Sequence, residues 1–193
     1  MTQDLFDLSN KTIILTGSAG RLGSNFAEIL ADAGANLVLI DINEKENKKL
    51  EKSITKKFKI KCISSNTNIT IKNELVELSK VIIKKFGTID GVVNNAFYNP
   101  RTNIEQSAMK FEDYSLDLWN DVVSVNLTGV FLCSQIFGKI MAKQKVGGSI
   151  VNISSIYGIN GADQRIYGNS KLNSPPSYAA TKGAVVNFTK YLA

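Results

Sequence analysis

The chain contains no histidine. Ser-His-Asp triads, Cys-His pairs and ordinary zinc sites are thereby excluded together. Acid–base work must fall to Tyr, Lys, Asp, Glu or Cys. Cysteine is nearly absent: Cys62 and Cys133 stand far apart without metal-ligand spacing and read as reduced thiols in apolar surroundings. No metal site is expected. Arginine is scarce as well, at Arg21, Arg101 and Arg165 only, whereas base readout and phosphate clamping lean on it. The formal charge is +6, but the lysine excess lies between Lys45 and Lys61, interleaved with Glu44, Glu46 and Glu51. That pattern describes a solvated helix face rather than a nucleic-acid surface. There is no run of about 18 apolar residues, the length a membrane-spanning helix needs. The stretch from Val122 to Met141 is broken by Ser124, Asn126, Thr128, Ser134, Gln135 and Lys139. The N-terminus, Met1 to Asp7, is acidic where a secretory signal is basic. No nucleic-acid or membrane partner is expected, and the chain reads as cytoplasmic.

What is present is ordinary for a globular protein: 44% apolar and 21% charged residues over 193 positions, room for one domain with a sizeable core. Apolar and β-branched runs alternate with amphipathic stretches. Strands are expected at Thr12 to Thr16, Asn36 to Ile42, Lys59 to Ser64, Ile89 to Asn94 and Ser149 to Ser154. Helices are expected up to about Ala33, through the lysine-rich segment, from Ile71 to Phe86, from Ser115 to about Lys143, and from Pro175 or Pro176 onward. Residues Ile156 to Ser174 read as irregular. Strand–helix alternation implies parallel βαβ units, and the continuous apolar run Leu37-Val38-Leu39-Ile40 implies a sheet covered on both faces. The expected fold is α/β, a three-layer doubly wound parallel sheet of the Rossmann type.

Thr16-Gly17-Ser18-Ala19-Gly20-Arg21-Leu22-Gly23 follows the first strand and opens a helix. Gly17, Gly20 and Gly23 there suit a dinucleotide turn, in which backbone amides and a helix N-terminus meet the pyrophosphate. A purely structural turn is the alternative. Asp41 ends the second strand, where a carboxylate accepts from the adenosine ribose hydroxyls and repels a 2′-phosphate. NAD is favoured over NADP on that ground, although Arg21 beside the turn offsets the repulsion. Asp41 as a helix N-cap is the plainer reading.

Tyr178 and Lys182 are spaced i, i+4 on one helical face. A nearby ammonium favours the phenolate, so the pair is expected to exchange the proton that accompanies hydride transfer. Tyr167 and Lys171 share the spacing, but Gly168, Asn169 and Ser170 make a loop-like setting ahead of Pro175 and Pro176.

The chain resembles the short-chain dehydrogenase/reductase family. Val93-Asn94-Asn95-Ala96 resembles the family's N-N-A-G segment, and Val125-Asn126-Leu127-Thr128-Gly129 the helix with its active-site asparagine. Ile150-Val151-Asn152-Ile153-Ser154-Ser155 resembles the strand ending in the catalytic serine, and Tyr178 to Val185 the catalytic helix. The resemblance implies that Tyr178 is the acid–base, that Lys182 tunes it and binds ribose, that Ser155 orients the substrate oxygen and that Asn126 supports a water relay. Read without it, Ser155 is a strand-end serine and Asn126 a helix asparagine. It further implies dinucleotide contacts from Gly17, Gly20, Arg21, Leu22, Gly23, Asp41, Asn68, Asn94, Ala96, Tyr178 and Lys182, with Asn68 where the family often has an aspartate touching adenine.

Two departures are visible. Arg21 stands where the usual T-G-x-x-x-G-x-G has its middle glycine, and the turn matches T-G-x-x-G-x-x-G instead. The interval from Ser155 to Tyr178 is longer than the family's, with the surplus between Ile159 and Ser174. Its polar side chains, Asp163, Gln164, Arg165, Tyr167, Asn169 and Lys171, suggest a hydroxylated or phosphorylated substrate such as a sugar, though loops are polar in any case. The segment from Ile156 to Gly168 with Pro175-Pro176-Ser177-Tyr178 resembles oxidoreductases of flagellin and surface-glycan modification. Family members continue past the Tyr/Lys helix with two more strands, so residues 1–193 are expected to form one NAD(P)-binding domain incomplete at its C-terminal end. The implied function is alcohol/ketone interconversion on a small, sugar-like molecule, in a homo-oligomer if a longer chain exists. A 3-oxoacyl-acyl-carrier-protein reductase and a non-catalytic dinucleotide-binding module are the alternatives.

Overall fold

The structure is a computed structural model and describes residues 6–98, 109–170 and 172–193. Its chain gathers into two compact units, Met1–Ala96 with Phe131–Val151, and Phe97–Val130 with Asn152–Ala193.

The first unit carries the sheet. Strands β1 (Thr12–Thr16), β2 (Asn36–Ile40), β3 (Cys62–Ser65), β4 (Gly91–Asn94) and β5 (Ser149–Asn152) lie in the order β3-β2-β1-β4-β5. β1 pairs in parallel with both β2 and β4, and β2 pairs in parallel with β3, in registers such as Ile14↔Val38, Ile13↔Gly91 and Leu37↔Cys62. The central strands are buried on both sides, as their unbroken apolar runs require. Ile13, Leu15, Leu37 and Leu39 share one core with Ala27 and Ala31 of α1 (Arg21–Asp32) and Ile54 of α2 (Glu44–Lys57). The intervening residues Ile14, Val38 and Ile40 point to the opposite face and are equally buried. Helices α3 (Lys72–Phe86) and Val130–Met141 carry buried stripes through Leu75, Leu78 and Ile82, and through Cys133 and Phe137.

The lysine-rich helix behaves as a solvated face. Asn43 caps α2 by accepting from Glu46 N, Glu44 and Glu46 occupy its first turn and Lys56 and Lys57 its last, all favourable to the helix dipole. Lys48–Glu51 and Lys49–Glu46 pair across one turn at 2.6 and 2.7 Å.

The second unit holds α4 (Leu116–Val123), a π-helical segment (Ser124–Gly129) and α6 (Pro176–Leu192); the helix Val130–Met141, α5, belongs from Phe131 onward to the first unit. Ser115 caps α4, and Pro176 opens α6 at the position where a missing N–H does no harm.

Several expected bounds shift. β2 stops at Ile40 because Asp41 turns its carboxylate to the Ala19 and Asn43 amides. β3 starts at Cys62, and β4 at Gly91, where pairing with Ile13 begins. β5 ends at Asn152, because Ile153 O and Ser154 Oγ bond to Lys182. The long helix from Ser115 contains the π turn, and the irregular stretch contains 3-10 turns at Ile156–Gly158 and Gln164–Ser170. Leu116–Met141 is also long and apolar enough to cross a membrane, contrary to the reading of its broken apolar run. Half of its apolar window is buried inside the protein, as in a core helix of a globular fold. Lys171 and Arg101 lie outside the described residues, and with Lys171 the Tyr167/Lys171 spacing.

Candidate functional site

In the first unit the turn after β1 is shaped by glycine. Gly17 has φ +65°, and a Cβ there would stand 2.6 Å from Ala96 Cα. A Cβ on Gly23 would run into the Gly17 carbonyl oxygen and stand 2.8 Å from Ser18 Cα. Gly20 is the N-cap of α1, with no side-chain cap and no acidic residue in the first turn, so the helix offers its first amides to an outside anion. Arg21 and Leu22 are exposed there, Leu22 at 56%. The shape fits a dinucleotide pyrophosphate: backbone amides, positive helix end, and no Cβ at Gly17, Gly20 or Gly23.

Asp41 lies against this turn. Its Oδ2 accepts from Ala19 N and its Oδ1 from Asn43 N, both at 2.9 Å. Asn43, not Asp41, caps α2. Each carboxylate oxygen keeps a further lone pair for a ribose hydroxyl.

Two side chains that the motif reading did not single out hold the turn. Asn95 Nδ2 donates to Thr16 O at 3.1 Å and Gly17 O at 3.0 Å, while Thr16 Oγ1 accepts from Asn95 N and Ala96 N. Asn47, buried, accepts from Ser18 Oγ at 2.8 Å and donates to Leu39 O and Ser65 O at 3.0 Å. Asn95 was visible within the N-N-A segment; Asn47 is one polar residue on a polar helix and gave no signal. Asn94 is buried and donates to Ser134 Oγ at 3.2 Å. Asn68 spends its Oδ1 on Thr70 N and Thr70 Oγ1, a local turn.

In the second unit, Ser155 and Tyr178 line one pocket of about 380 Å³. Phe97, Tyr98, Tyr157 and Tyr167 supply the other aromatic walls, with Ser177, Ile156, Val122 and Pro175 between them. Tyr178 is gripped edge-on by two rings: Phe97 at 5.2 Å and 70°, and Tyr157 at 6.2 Å and 85°. Its neighbour Ser177 is fully buried and shares a 2.7 Å hydrogen bond with Tyr114 Oη. Burial raises the Tyr114 phenol above its ordinary pKa. Ser155 Oγ accepts from Tyr157 N at 3.2 Å and caps the 3-10 turn.

Lys182 is buried, donates from Nζ to Ile153 O at 2.5 Å and lies 5.1 Å from the Phe97 ring centroid. Burial pushes its pKa down to about 8. Asn126, buried in the π segment, clamps the Tyr98 backbone: Oδ1 accepts from Tyr98 N at 2.8 Å and Nδ2 donates to Tyr98 O at 3.2 Å. Its amide therefore positions the pocket wall at Tyr98. Among the described residues no group of His, Cys, Asp and Glu could hold a metal ion.

The short chain dehydrogenase family model matches residues 11–193. The chain is similar to 5-keto-D-gluconate 5-reductase of Escherichia coli, 34% identical over 187 residues, 97% of this chain and 66% of the relative. It is similar to 3-oxoacyl-acyl-carrier-protein reductase of Thermotoga maritima, 33% identical over 183 residues, 95% of this chain and 67% of the relative. An NAD+-bound xylitol dehydrogenase superposes with a TM-score of 0.83 at 27% identity, covering 96% of this chain and 65% of that one. The chain thus spans about two thirds of the length of these proteins.

Proposed function

Because the chain belongs to the short-chain dehydrogenase family, we propose that it is the dinucleotide-binding and catalytic part of an NAD(P)-dependent oxidoreductase that interconverts a secondary alcohol and a ketone. The observation that carries this reading is the meeting of Ser155 and Tyr178 in one pocket, with Lys182 one helical turn further along α6. The nicotinamide, when bound, supplies the hydride acceptor for alcohol oxidation and the donor for ketone reduction. Tyr178 Oη takes the proton from the substrate hydroxyl in the oxidative direction and returns it in the reductive one. Ser155 Oγ holds that oxygen by a hydrogen bond. Phe97 and Tyr157 hold the Tyr178 ring against rotation, and the Asn126 amide holds Tyr98 in the wall. Lys182 keeps a positive charge beside the Tyr178 helix face below about pH 8.

Gly17, Gly20, Gly23, Arg21 and Leu22 would hold the pyrophosphate, and Asp41 the adenosine ribose. Asn68, Asn94 and Ala96 would border the nucleotide. A carboxylate at the turn favours NAD over NADP. The NAD+-bound xylitol dehydrogenase and the 5-keto-D-gluconate reductase support a polyol or sugar-like substrate. The narrower reading, a precursor of flagellin or surface-glycan modification, rests on the segment from Ile156 to Gly168. Free buried thiols at Cys62 and Cys133 fit a reducing compartment, the cytoplasm. A homo-oligomer completes the proposal.

Calorimetry of the 193-residue chain with NAD and NADP, followed by turnover of polyols and ketoses, tests this reading. NAD is expected to bind more tightly, and Tyr178→Phe to lower turnover about 10²–10⁴-fold with dinucleotide affinity kept. Preference for NADPH with turnover of acetoacetyl thioesters would select the acyl-carrier reductase, the reading favoured by the Thermotoga maritima relative. Binding with no turnover, indifferent to Tyr178→Phe, would leave a non-catalytic module. Failure to bind either dinucleotide overturns the proposal.

A further inference from the structure

Asparagine precedes glycine or serine at three places in the chain, Asn160-Gly161, Asn169-Ser170 and Asn173-Ser174, and all three fall in the surplus between Ser155 and Tyr178. In such pairs the amide nitrogen of the second residue can reach the asparagine side-chain carbon, most freely where that residue is glycine and has no Cβ in the way. The structure ranks the three. Asn160 and Gly161 are both exposed, and a Cβ on Gly161 would meet nothing within 4 Å. Asn169 is exposed too, but it lies in the Gln164–Ser170 3-10 turns, whose dihedrals fix the amide that follows. Asn173 is half-buried, its Nδ2 donates to Met109 O at 3.3 Å, and the Ser174 amide that would attack it donates to Gln164 Oε1 at 2.8 Å.

The chemistry at Asn160 needs water only. Gly161 N attacks Asn160 Cγ, the Cγ–Nδ2 bond breaks, and Nδ2 leaves as ammonia with the Gly161 amide proton. Water then opens the five-membered imide. Cleavage of N–Cγ gives aspartate. Cleavage of the original N–C bond gives isoaspartate, in which the main chain runs through Cβ and Cγ and is longer by one carbon.

The turn behind this site carries part of the pocket. Asn160 N donates to Ile156 O at 3.0 Å, and Asn160 Nδ2 lies 3.5 Å from the same oxygen. Ile156 and Tyr157 line the pocket with Tyr178, and Tyr157 packs edge-on against the Tyr178 ring. Deamidation exchanges the Nδ2 donor for a carboxylate oxygen, which the Ile156 carbonyl repels.

We propose that Asn160-Gly161 is a self-modifying site, deamidating and isomerising without an enzyme, and that its products loosen the turn that brings Ile156 and Tyr157 to the pocket. Neither step depends on a bound dinucleotide or on the oxidoreductase reading.

The test holds the 193-residue chain in warm, mildly alkaline buffer and follows each asparagine by peptide mass spectrometry, with isoaspartate read by enzymatic methylation of its free carboxylate. Asn160 is expected to convert at least tenfold faster than Asn173 and severalfold faster than Asn169. Gly161→Ala has room for its methyl, so it should keep the parent's thermal midpoint and slow conversion at least tenfold. The converted fraction, separated by anion exchange, should show shifted NMR signals for the Ile156 methyls and the Tyr157 ring, with Ile54 unshifted. Asn160→Gln, incubated in the same way, should show no such change. Conversion at Asn160 no faster than at Asn173, or a parent rate in Gly161→Ala, overturns the site. Unshifted Ile156 and Tyr157 signals in the converted fraction, or equal shifts in incubated Asn160→Gln, overturn its effect on the pocket.

Discussion

Ser154 and Lys182 are tied to each other in two directions. Ser154 Oγ donates to the Lys182 carbonyl at 2.9 Å, and Lys182 Nζ donates at 2.5 Å to the carbonyl of Ile153, the residue before Ser154. Gly158 packs into the same place: a Cβ there would lie 2.7 Å from both the Lys182 carbonyl oxygen and Ser154 Oγ. The segment after β5 and helix α6 are thus joined by two side-chain-to-backbone bonds, and Ser155 and Tyr178, one on each, inherit their places from that lock.

Lys182 makes stability depend on pH. Its pKa falls from 10.5 to about 8 because burial disfavours the ammonium. The unfolded chain then holds more protons than the folded one between those values, so this residue's contribution to stability rises with pH across that window and is least favourable below about 8. Urea unfolding of the parent and of Lys182→Met, repeated from pH 7 to 10.5, isolates the effect in the difference between them. Relative to the parent, the methionine variant should lose stability as pH climbs from about 8. The lost hydrogen bond to Ile153 O adds a pH-independent offset of about 1–3 kcal/mol. A flat difference would contradict the burial argument.

The three glycines of the turn should not be equivalent to alanine substitution. Gly23→Ala drives a Cβ into the Gly17 carbonyl oxygen, a backbone atom that cannot rotate away. It should destabilise by about 1–3 kcal/mol and abolish dinucleotide binding. Gly20→Ala meets only Gly17 O, at 3.3 Å, and should keep the fold nearly intact. Thermal melts of both variants, with calorimetry for NAD, separate the fold from the cradle. Equal loss in the two would contradict this ordering.

Local features were legible before the fold was known. The strand–glycine turn–helix order, Asp41 at the end of β2 and the Tyr178/Lys182 spacing are read within a few residues, where periodicity and turn chemistry act. The lysine-rich helix was legible as a solvated face because its caps and ion pairs are all internal to it. The partnerships that position the site were not. Gln164–Ser174, Tyr114–Ser177 and Ser18–Asn47 join residues 10, 63 and 29 positions apart, and no residue in those pairs differs in kind from a surface polar residue. The π segment holding Asn126 also has no periodic signature, since it is an excess residue absorbed in one turn. Asn126 was therefore singled out by the resemblance alone, and the engagement of its amide with the Tyr98 backbone had no local signal.

Asn47 should be among the least replaceable polar residues of the first unit. Its amide satisfies two carbonyls and one hydroxyl in the interior, at 1% exposure. Asn47→Leu leaves Leu39 O and Ser65 O without a donor from this side chain, and should cost about 1–3 kcal/mol or more. Asn47→Asp keeps the acceptor for Ser18 but loses both donations and buries a charge, so it should fare no better at pH 7. Denaturant midpoints compared with an exposed α2 control, Asn47 being set against Lys52→Ala, give the answer. Midpoints within 0.5 kcal/mol of the control would show the interior bonds to be dispensable.

Thr16 tests whether the glycine turn is held from β4. Its hydroxyl oxygen accepts the Asn95 and Ala96 amides at 3.1 and 3.0 Å, and Asn95 returns the contact through Thr16 O and Gly17 O. Thr16→Val has nearly the same shape but no acceptor, so Ala96 N loses this partner and its fixed place beneath Gly17, while Asn95 N keeps only Val93 O at 3.1 Å. The expected outcome is a loss of about 1–3 kcal/mol in stability and a dinucleotide affinity reduced beyond what that loss explains at temperatures where the variant is folded. Thr16→Ser restores the acceptor and should recover most of both. If valine folds and binds as the parent does, the β4 segment does not hold the turn, and the cradle must be set by Asp41 and Asn47 from the β2 side alone.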